Sequence, residues 1–459
     1  MTAIVTSTLR IKNARLMKDL FVDPANSLYL FVSKPSAWAD EAVPTAPTDS
    51  LVFEKMARDE MMTLRKVASL EVTQSFFRIN WTAGRYYDMY RNDYDNIKLN
   101  GVDLVTGADT PRNGLSNANF YVVNSDFNVY KCISNNNGAA STVEPTGTSA
   151  NIFMTADGYR WKYMLTINSA DVLRFESANF LPVQSFKTSP GSSSPYYNQY
   201  LVQSTAIPGT IDVIEIASSG TGYATSSTLP VEIIGDGTGA TATATTDALG
   251  RIESINITNV GTGYTYAIAK PTGTNVSPAI LTPIVSPKNG HGYDPIEELF
   301  AYYVTVSASI GDDLSEDTLK ENEYRILGLI LNPKVYGSQT LLTSQTANAL
   351  RGISIAGGVS GSFVDDENLI SEGSTKGTFV SYSPTSKILK YVRNPSNIGP
   401  DFSVSQTVTG STSSATGIIT GIQNPEVDTN SGDIIYVETR RPIYRSISQK
   451  EEMRITIET

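Results

Sequence analysis

The stretch Ile211–Tyr223, IDVIEIASSGTGY, returns as Arg251–Tyr264, RIESINITNVGTGY. The two GTGY tetrads begin at Gly220 and Gly261, 41 residues apart, and Ile214 and Ile216 return as Ile255 and Ile257 at the same offset. Alternating isoleucines followed by a glycine-bracketed turn read as strand, turn, strand. Gly220, Gly222, Gly261 and Gly263 suit turns with positive φ. Val231 and Ile233 alternate on a further strand, and ATATAT at Ala240–Thr245 puts alanines on one face and threonines on the other. The second copy loses its lettering after Tyr264. Two copies are too few for a free-standing solenoid, so a compact inserted β module over 211–287 is expected.

The flanks read as two parts of a larger β body, 1–210 and 288–459, the second with a possible β insertion at about 373–423. Expected strands cover Ala3–Ser7, Leu28–Ser33, Phe76–Ile79, a pair within Tyr121–Ile133, and a half-buried strand in Gly158–Ile167. Beyond the module they cover Ala301–Ser309, Tyr324–Leu331, hairpins in Phe379–Val392 and Val404–Ile422, and closing strands Ile434–Glu438 and Met453–Ile457. Helices are expected at Leu9–Phe21 and at about 50–70, the latter behind the capping candidates Thr48, Asp49 and Ser50. Asp312–Tyr324 reads as a short helix or ordered loop. The class is mainly β: a layered β-sandwich body with a few helices in loops, plus the small inserted repeat module.

The 459 residues carry 35 Lys and Arg against 46 Asp and Glu, a net charge of −11. That balance disfavours a broad phosphate-binding surface, so no nucleic-acid partner is expected. The single cysteine, Cys132, excludes an intrachain disulfide. The longest apolar runs, such as LYLFV at Leu28–Val32, are too short to span a bilayer, and no signal-peptide core opens the sequence, so neither membrane insertion nor export by signal is expected.

The single histidine, His291 in NGHGYDP, has no nucleophile-elbow serine to serve, and packing is its expected role. Cys132 lies in an alternating strand, as inert buried cysteines do. Gly235–Ala240, GDGTGA, lacks the following Lys-Ser/Thr and helix of a phosphate loop and reads as a turn. The acidic runs Asp312-Asp313, Glu316-Asp317 and Asp365–Glu367 match no EF-hand spacing and read as solvated loops. No catalytic residue, cofactor or metal is expected. Trp38, Trp81, Tyr86, Trp161 and an Arg440-Arg441-Pro442 turn are the expected structural or interface anchors, since aromatics and arginine carry interface energy.

Several segments, taken together and in order, resemble the baseplate wedge subunit called gene product eight of T-even-like contractile-tailed bacteriophages. They are AIVTSTLR (Ala3–Arg10), the Trp38 loop ending in PTDS (Pro47–Ser50), DGYRWKYMLTI (Asp157–Ile167), ENEYRILGLILNPK (Glu321–Lys334), SGDIIYVETRRPI (Ser431–Ile443) and QKEEMRITI (Gln449–Ile457). Ile211–Pro287 and about 373–423 have no counterpart in that family. The resemblance implies a layered β-sandwich without enzymatic activity. It also implies a homodimer within each wedge, contacts to other wedge subunits, and a place in the virion tail after assembly in the host cytoplasm. The rival expectation is a glycan-binding or glycan-degrading tail protein using the repeat module or the acidic loops.

Overall fold

The structure is a computed structural model describing residues 4–93, 114–310, 322–393, 401–446 and 449–459. The expected segment Asp312–Tyr324 falls outside these residues up to Glu321, and with it the two acidic runs there. The chain is mainly β, with antiparallel sheets, a closed barrel and, among the described residues, five α-helices. It divides into two compact units. The first comprises Met1–Arg15, Thr73–Thr305 and Thr456–Thr459; the second comprises Leu16–Val72 and Val306–Ile455. The body is therefore not split simply before and after the repeat.

In the first unit, a four-stranded sheet runs in the order Tyr121–Val123, Asn128–Ser134, Arg160–Thr166, Phe153–Met154. Its residues Val122, Tyr130, Trp161 and Tyr163 share one core with Phe76, Leu181 and Val183 of the paired strands Val72–Phe77 and Phe180–Val183. Trp161 to Leu165 are all buried, so this strand is covered on both faces, not half-buried as its alternation implied. Polar positions such as Lys162 are paired inside, a distinction that periodicity does not carry.

The repeat forms a six-stranded sheet with its own core of Ile211, Ile214, Tyr223, Val231, Ala242, Ala244, Ile252, Tyr264 and neighbours. The first repeat gives Ile211–Ser218, Thr228–Gly235 and Thr238–Thr246; the second gives Ile252–Thr262, Ala267–Pro271 and Ile280–Val285. The opening strand of each repeat pairs with the closing strand of the other. Ile214 lies opposite Pro283 and Ile216 opposite Leu281; correspondingly Ile255 lies opposite Ala244 and Ile257 opposite Ala242. The second copy therefore does not end at Tyr264. Its later strands keep the pairing and the inward small or aliphatic residues but not the letters. Gly220 and Gly261 hold φ of 63° and 64°. A Cβ on either would lie 2.5 Å from a backbone nitrogen, that of Ala279 or Ala240. Those same amides donate to the hydroxyls of Tyr223 and Tyr264, at 2.9 and 3.3 Å. The tetrad is thus one device used twice: glycine lets the backbone approach and tyrosine seals the core.

In the second unit a five-stranded sheet runs Thr346–Asn348, Met61–Lys66, Leu28–Ser33, Asn322–Leu331, Asp433–Arg445. The expected helix over about 50–70 stops early. Ser50 caps Leu51–Asp59 by accepting from Phe53 N, and the chain then becomes strand. Met61, Met62, Thr63 and Leu64 are buried between two partner strands, and this long-range pairing overrides local helix propensity. At the N-terminus no strand forms over the described residues 4–6. Thr6 instead opens the helix Ser7–Val22, accepting from Leu9 N on its hydroxyl and from Arg10 N on its carbonyl.

Residues 351–423 hold a closed six-stranded barrel in the order Arg351–Ile355, Ile388–Arg393, Ser374–Ser383, Asn368–Ser371, Thr407–Gly410, Thr416–Gln423. It begins well before the expected insertion point of 373, because Arg351–Ile355 is the strand that closes it. Its core, which includes Ile353, Leu369, Leu389, Tyr391, Phe402 and Val408, lies wholly within the barrel.

Candidate protein–protein interface

The edge of the five-stranded sheet and the loop stitched to it hold several of the expected anchors. Trp38 is buried, and its indole Nε1 donates to the carbonyl of Arg440 at 3.0 Å. Lys34 Nζ lies 4.5 Å over the indole ring. The Trp38 amide donates to Glu41, whose carboxylate also accepts from Arg325 at 2.9 Å. Arg441 Nε donates to the carbonyl of Ala42 at 3.2 Å. The loop from Pro35 to Ala42 is therefore fixed on the last strand. Glu60 beneath it is buried, which raises its carboxyl pKa; Lys34 and Ser36 resist that rise, and Asp366 and Asp59 add to it.

Arg440-Arg441-Pro442 is not a turn. It lies inside the strand Asp433–Arg445, where the register passes from Ile326 opposite Thr439 to Tyr324 opposite Ile443. The three residues form a bulge opposite Arg325, and the missing donor of Pro442 is tolerated there. Ile435 is a second bulged residue, between Ile434 and Tyr436. Between the bulges Tyr436–Thr439 run straight against Ile326–Leu329. The strand is the last of its sheet, and among the described residues no backbone bond meets the outer side of Ile434–Thr439. Arg58 fixes its approach, donating to the carbonyls of Thr429, Ser431 and Gly432 at 2.8–2.9 Å.

Beside this edge lies a groove of about 260 Å³ between Pro47–Glu54 and Ile434–Val437. Leu51 and Val52, on the same helix turn, are 83% and 81% exposed, and Val43, Ile435 and Tyr444 are exposed as well. These exposed apolar side chains, on the Val43 loop, the helix turn and the last strand, make this face the candidate contact surface.

The other two expected tryptophans serve the inside of the first unit. Trp161 is fully buried, stacked on Tyr159 at 5.4 Å and edge-on to Tyr87. Trp81 is half-buried and donates to Ser141 Oγ at 3.0 Å. Ser141 in turn donates to Asp157, whose carboxylate also accepts from Thr142 N, Val143 N and Thr155 Oγ1. Burial works to raise the Asp157 pKa, but these donors outweigh it and hold it below its ordinary value. Tyr86 alone of this group is exposed.

A charged cluster missed by sequence reasoning ties the ends of the repeat module to the neighbouring sheet. Lys131, with no exposed surface, donates to Glu298 at 2.7 Å and lies 4.0 Å over the Tyr90 ring. Burial lowers its pKa, and Glu298 opposes that shift. Glu298 also accepts from Gly292 N, and Asp212 lies 3.9 Å from His291 Nε2. Arg160 donates to the carbonyl of Asp212, and Arg91 pairs with Glu215. His291 packs edge-on to Tyr90, and burial with the nearby Lys131 and Lys162 holds it neutral. Cys132 is buried, and burial pushes its thiol well up, away from the thiolate that reactive cysteines need.

Of the GDGTGA stretch only Asp236-Gly237 is the connection; Gly235 ends one strand and Thr238–Ala240 begin the next. Asp236 accepts from the hydroxyl and amide of Thr265 and from Tyr266 N, which pushes its carboxyl down to about 2. In the acidic run at 365–367, Glu367 is not a solvated charge: it is buried and accepts from Val364, Thr412 and Ser413. Among the described residues no group of three or more His, Cys, Asp or Glu is placed to hold a metal, and no helix is long and apolar enough to cross a membrane. No protein-family model matches the chain, and no curated protein matches it.

Proposed function

We propose that the chain is a structural subunit of a contractile-tail baseplate wedge in a bacteriophage virion. It works through interfaces with a second copy of itself and with other wedge subunits, and it performs no chemistry. The ordered set of resembling segments motivates the reading. The observation that carries it is the exposed aliphatic surface on the Trp38–Val52 loop and helix and on the last strand of its sheet. Five of the resembling segments' most distinctive residues, Trp38, Pro47, Ser50, Arg440 and Arg441, lie on or beneath that surface. Rigid β bodies of this kind pass on a rearrangement by exchanging one set of subunit contacts for another. Sedimentation of the purified chain, alone and mixed with wedge proteins, tests the proposal. A homodimer that joins a wedge complex is the expected result; a chain that stays monomeric at every concentration and joins nothing overturns it.

The glycan-binding alternative is favoured by one groove among the described residues. An open groove of about 630 Å³ on the barrel is lined by Val359, Phe363, Tyr382, Asp365 and Lys387, with Phe363 stacked on Phe379. Aromatic faces beside polar groups suit sugars. Binding on a host-polysaccharide array, lost in Tyr382→Ala, would favour it over the structural reading.

A further inference from the structure

Along Ile434–Thr439 the last strand of its sheet keeps, among the described residues, an uncovered ladder, and proteins seldom leave an apolar edge open. The run Ile434-Ile435-Tyr436-Val437 is high in β propensity, and the groove beside it opens toward Pro47, Ser50 and Phe53. Asp49 and Glu54 line the groove, Glu54 already held by Arg58 at 2.8 Å, and Asp433 and Glu438 flank the apolar run. Arg440, the nearest exposed cation along the strand, is paired with Glu438.

We propose that this edge is completed by an extended segment of a partner protein, apolar at alternate positions and flanked by Lys or Arg. The segment adds as a strand along Tyr436–Thr439, lays one apolar side chain in the groove beside Phe53, and sets its basic flanks against Asp49 and Asp433. Backbone bonds supply the affinity and the groove and acidic rim supply the choice of partner. A second copy of the chain is a poor occupant. In an antiparallel pair of identical strands in register over Tyr436–Thr439, the Ile435 bulge of each copy would meet the Arg440-Arg441-Pro442 bulge of the other, leaving only that short run to pair. The Arg440 carbonyl is already held by Trp38.

The inference rests on the interface reading above, but its test is separate, since the wedge-assembly result stands whether or not this edge is the contact. The probe is a capped peptide, Lys-Lys-Val-Thr-Val-Thr-Lys-Lys, titrated by fluorescence anisotropy into the full-length chain at low salt. Because the ladder is read through the backbone, a generic sequence of this chemistry suffices. The peptide binds; N-methylating alternate amides along one edge weakens it roughly 10-fold or more, with side chains unchanged. The exposed double variant Asp49→Lys/Asp433→Lys weakens it by about as much, and so does added salt. No binding of the parent peptide overturns the proposal, as does equal binding of the N-methylated peptide, which needs no protein variant to interpret. Self-association of the chain abolished by Ile435→Lys would assign the edge to a second copy and overturn it equally.

Discussion

The repeat module at 211–285 and the barrel at 351–423 each have six strands and a core of their own, yet they are held by their surroundings in different ways. The module's stem belongs to two cores. Ile211, Ile214 and Val285 face its own interior, while Val213 and Ile284, register partners on the alternate face, pack into the core of the neighbouring sheet. Arg160, Arg91 and Asn92 bind the same stem through Asp212, Glu215 and Val285 N. Among the described residues of 351–423 none belongs to the core beside the barrel, which draws on Tyr29, Phe31, Trp38 and Ala349. Its ends meet in a small clasp, Asn348 N to the Glu426 carboxylate at 2.8 Å and Glu426 N to the Asn348 carbonyl at 2.9 Å. An insertion with a conspicuous repeat is thus rooted in its host, and the one without a repeat is tethered.

The sharpest break of that comparison is excision. Removing Ile211–Pro287 strips Val213, Ile284 and Asp212 from the neighbouring sheet and should give insoluble chain. Cutting higher, with Ile216 joined to its register partner Leu281 by an Asn-Gly turn, keeps the stem and should give folded protein. Replacing Arg351–Gln423 by a short linker should leave the rest melting within about 5 °C of the intact chain. Calorimetry of the three deletions checks all of this, and a soluble, cooperative melt for the full module deletion would break the distinction.

The next effect is at the root. Lys131→Met leaves Glu298 buried and unpaired, an expected loss of about 3–5 kcal/mol, whereas Lys131→Met with Glu298→Gln should lose much less. Urea titration of the two variants reads the difference. Within the module, Gly261→Ala meets both a positive φ and the Ala240 backbone, at an expected cost of about 3 kcal/mol. Gly220→Ala should match it, because the two turns are copies.

The smallest effect is in the barrel. Burial tends to raise the Glu367 pKa, but donors from Ser413, Val364 and Thr412 hold it below the ordinary carboxylate value. The carboxyl's folded pKa is below its unfolded one. Its contribution is therefore complete above the unfolded value of about 4.3 and is lost as pH falls through the lower folded value. Glu367→Gln should cost about 2 kcal/mol at neutral pH and flatten that part of the acid melt, followed by tyrosine fluorescence of the barrel.

How much of this was legible in the letters depended on whether the deciding contacts were local. The β class, the strand Leu28–Ser33, the pair in Tyr121–Ile133 and the opening strand of each repeat follow from apolar runs, alternation and turn chemistry. Met61–Lys66 looked helical because its strand partners lie at Leu28–Ser33 and Thr346–Asn348, far along the chain. The barrel's first strand was missed for the same reason. The second repeat kept its pairing through inward Leu281 and Pro283, whose letters do not resemble Ala242 and Ala244. Of the residues at the candidate surface, Trp38, Arg440 and Arg441 were legible as aromatic and arginine anchors. Leu51 and Val52 were not, since the helix turns Phe53 and Met56 to the core and leaves these two outside it. Trp161 was assigned by type alone, and its burial depends on Tyr87 and Tyr159 around it. Lys131 and Glu298 are 167 residues apart, and no spacing rule joins them.

One surface, the open strand edge beside the Trp38 loop, carries the proposed assembly. Amide hydrogen exchange of the full chain, alone and within a reconstituted wedge complex, measures it directly at Tyr436–Thr439. The outward amides of this run should exchange rapidly in the free chain and slow by about 10-fold or more in the complex, while Trp161 and its neighbours stay protected in both. Equal exchange at Tyr436–Thr439 in the free and assembled chain would contradict the account.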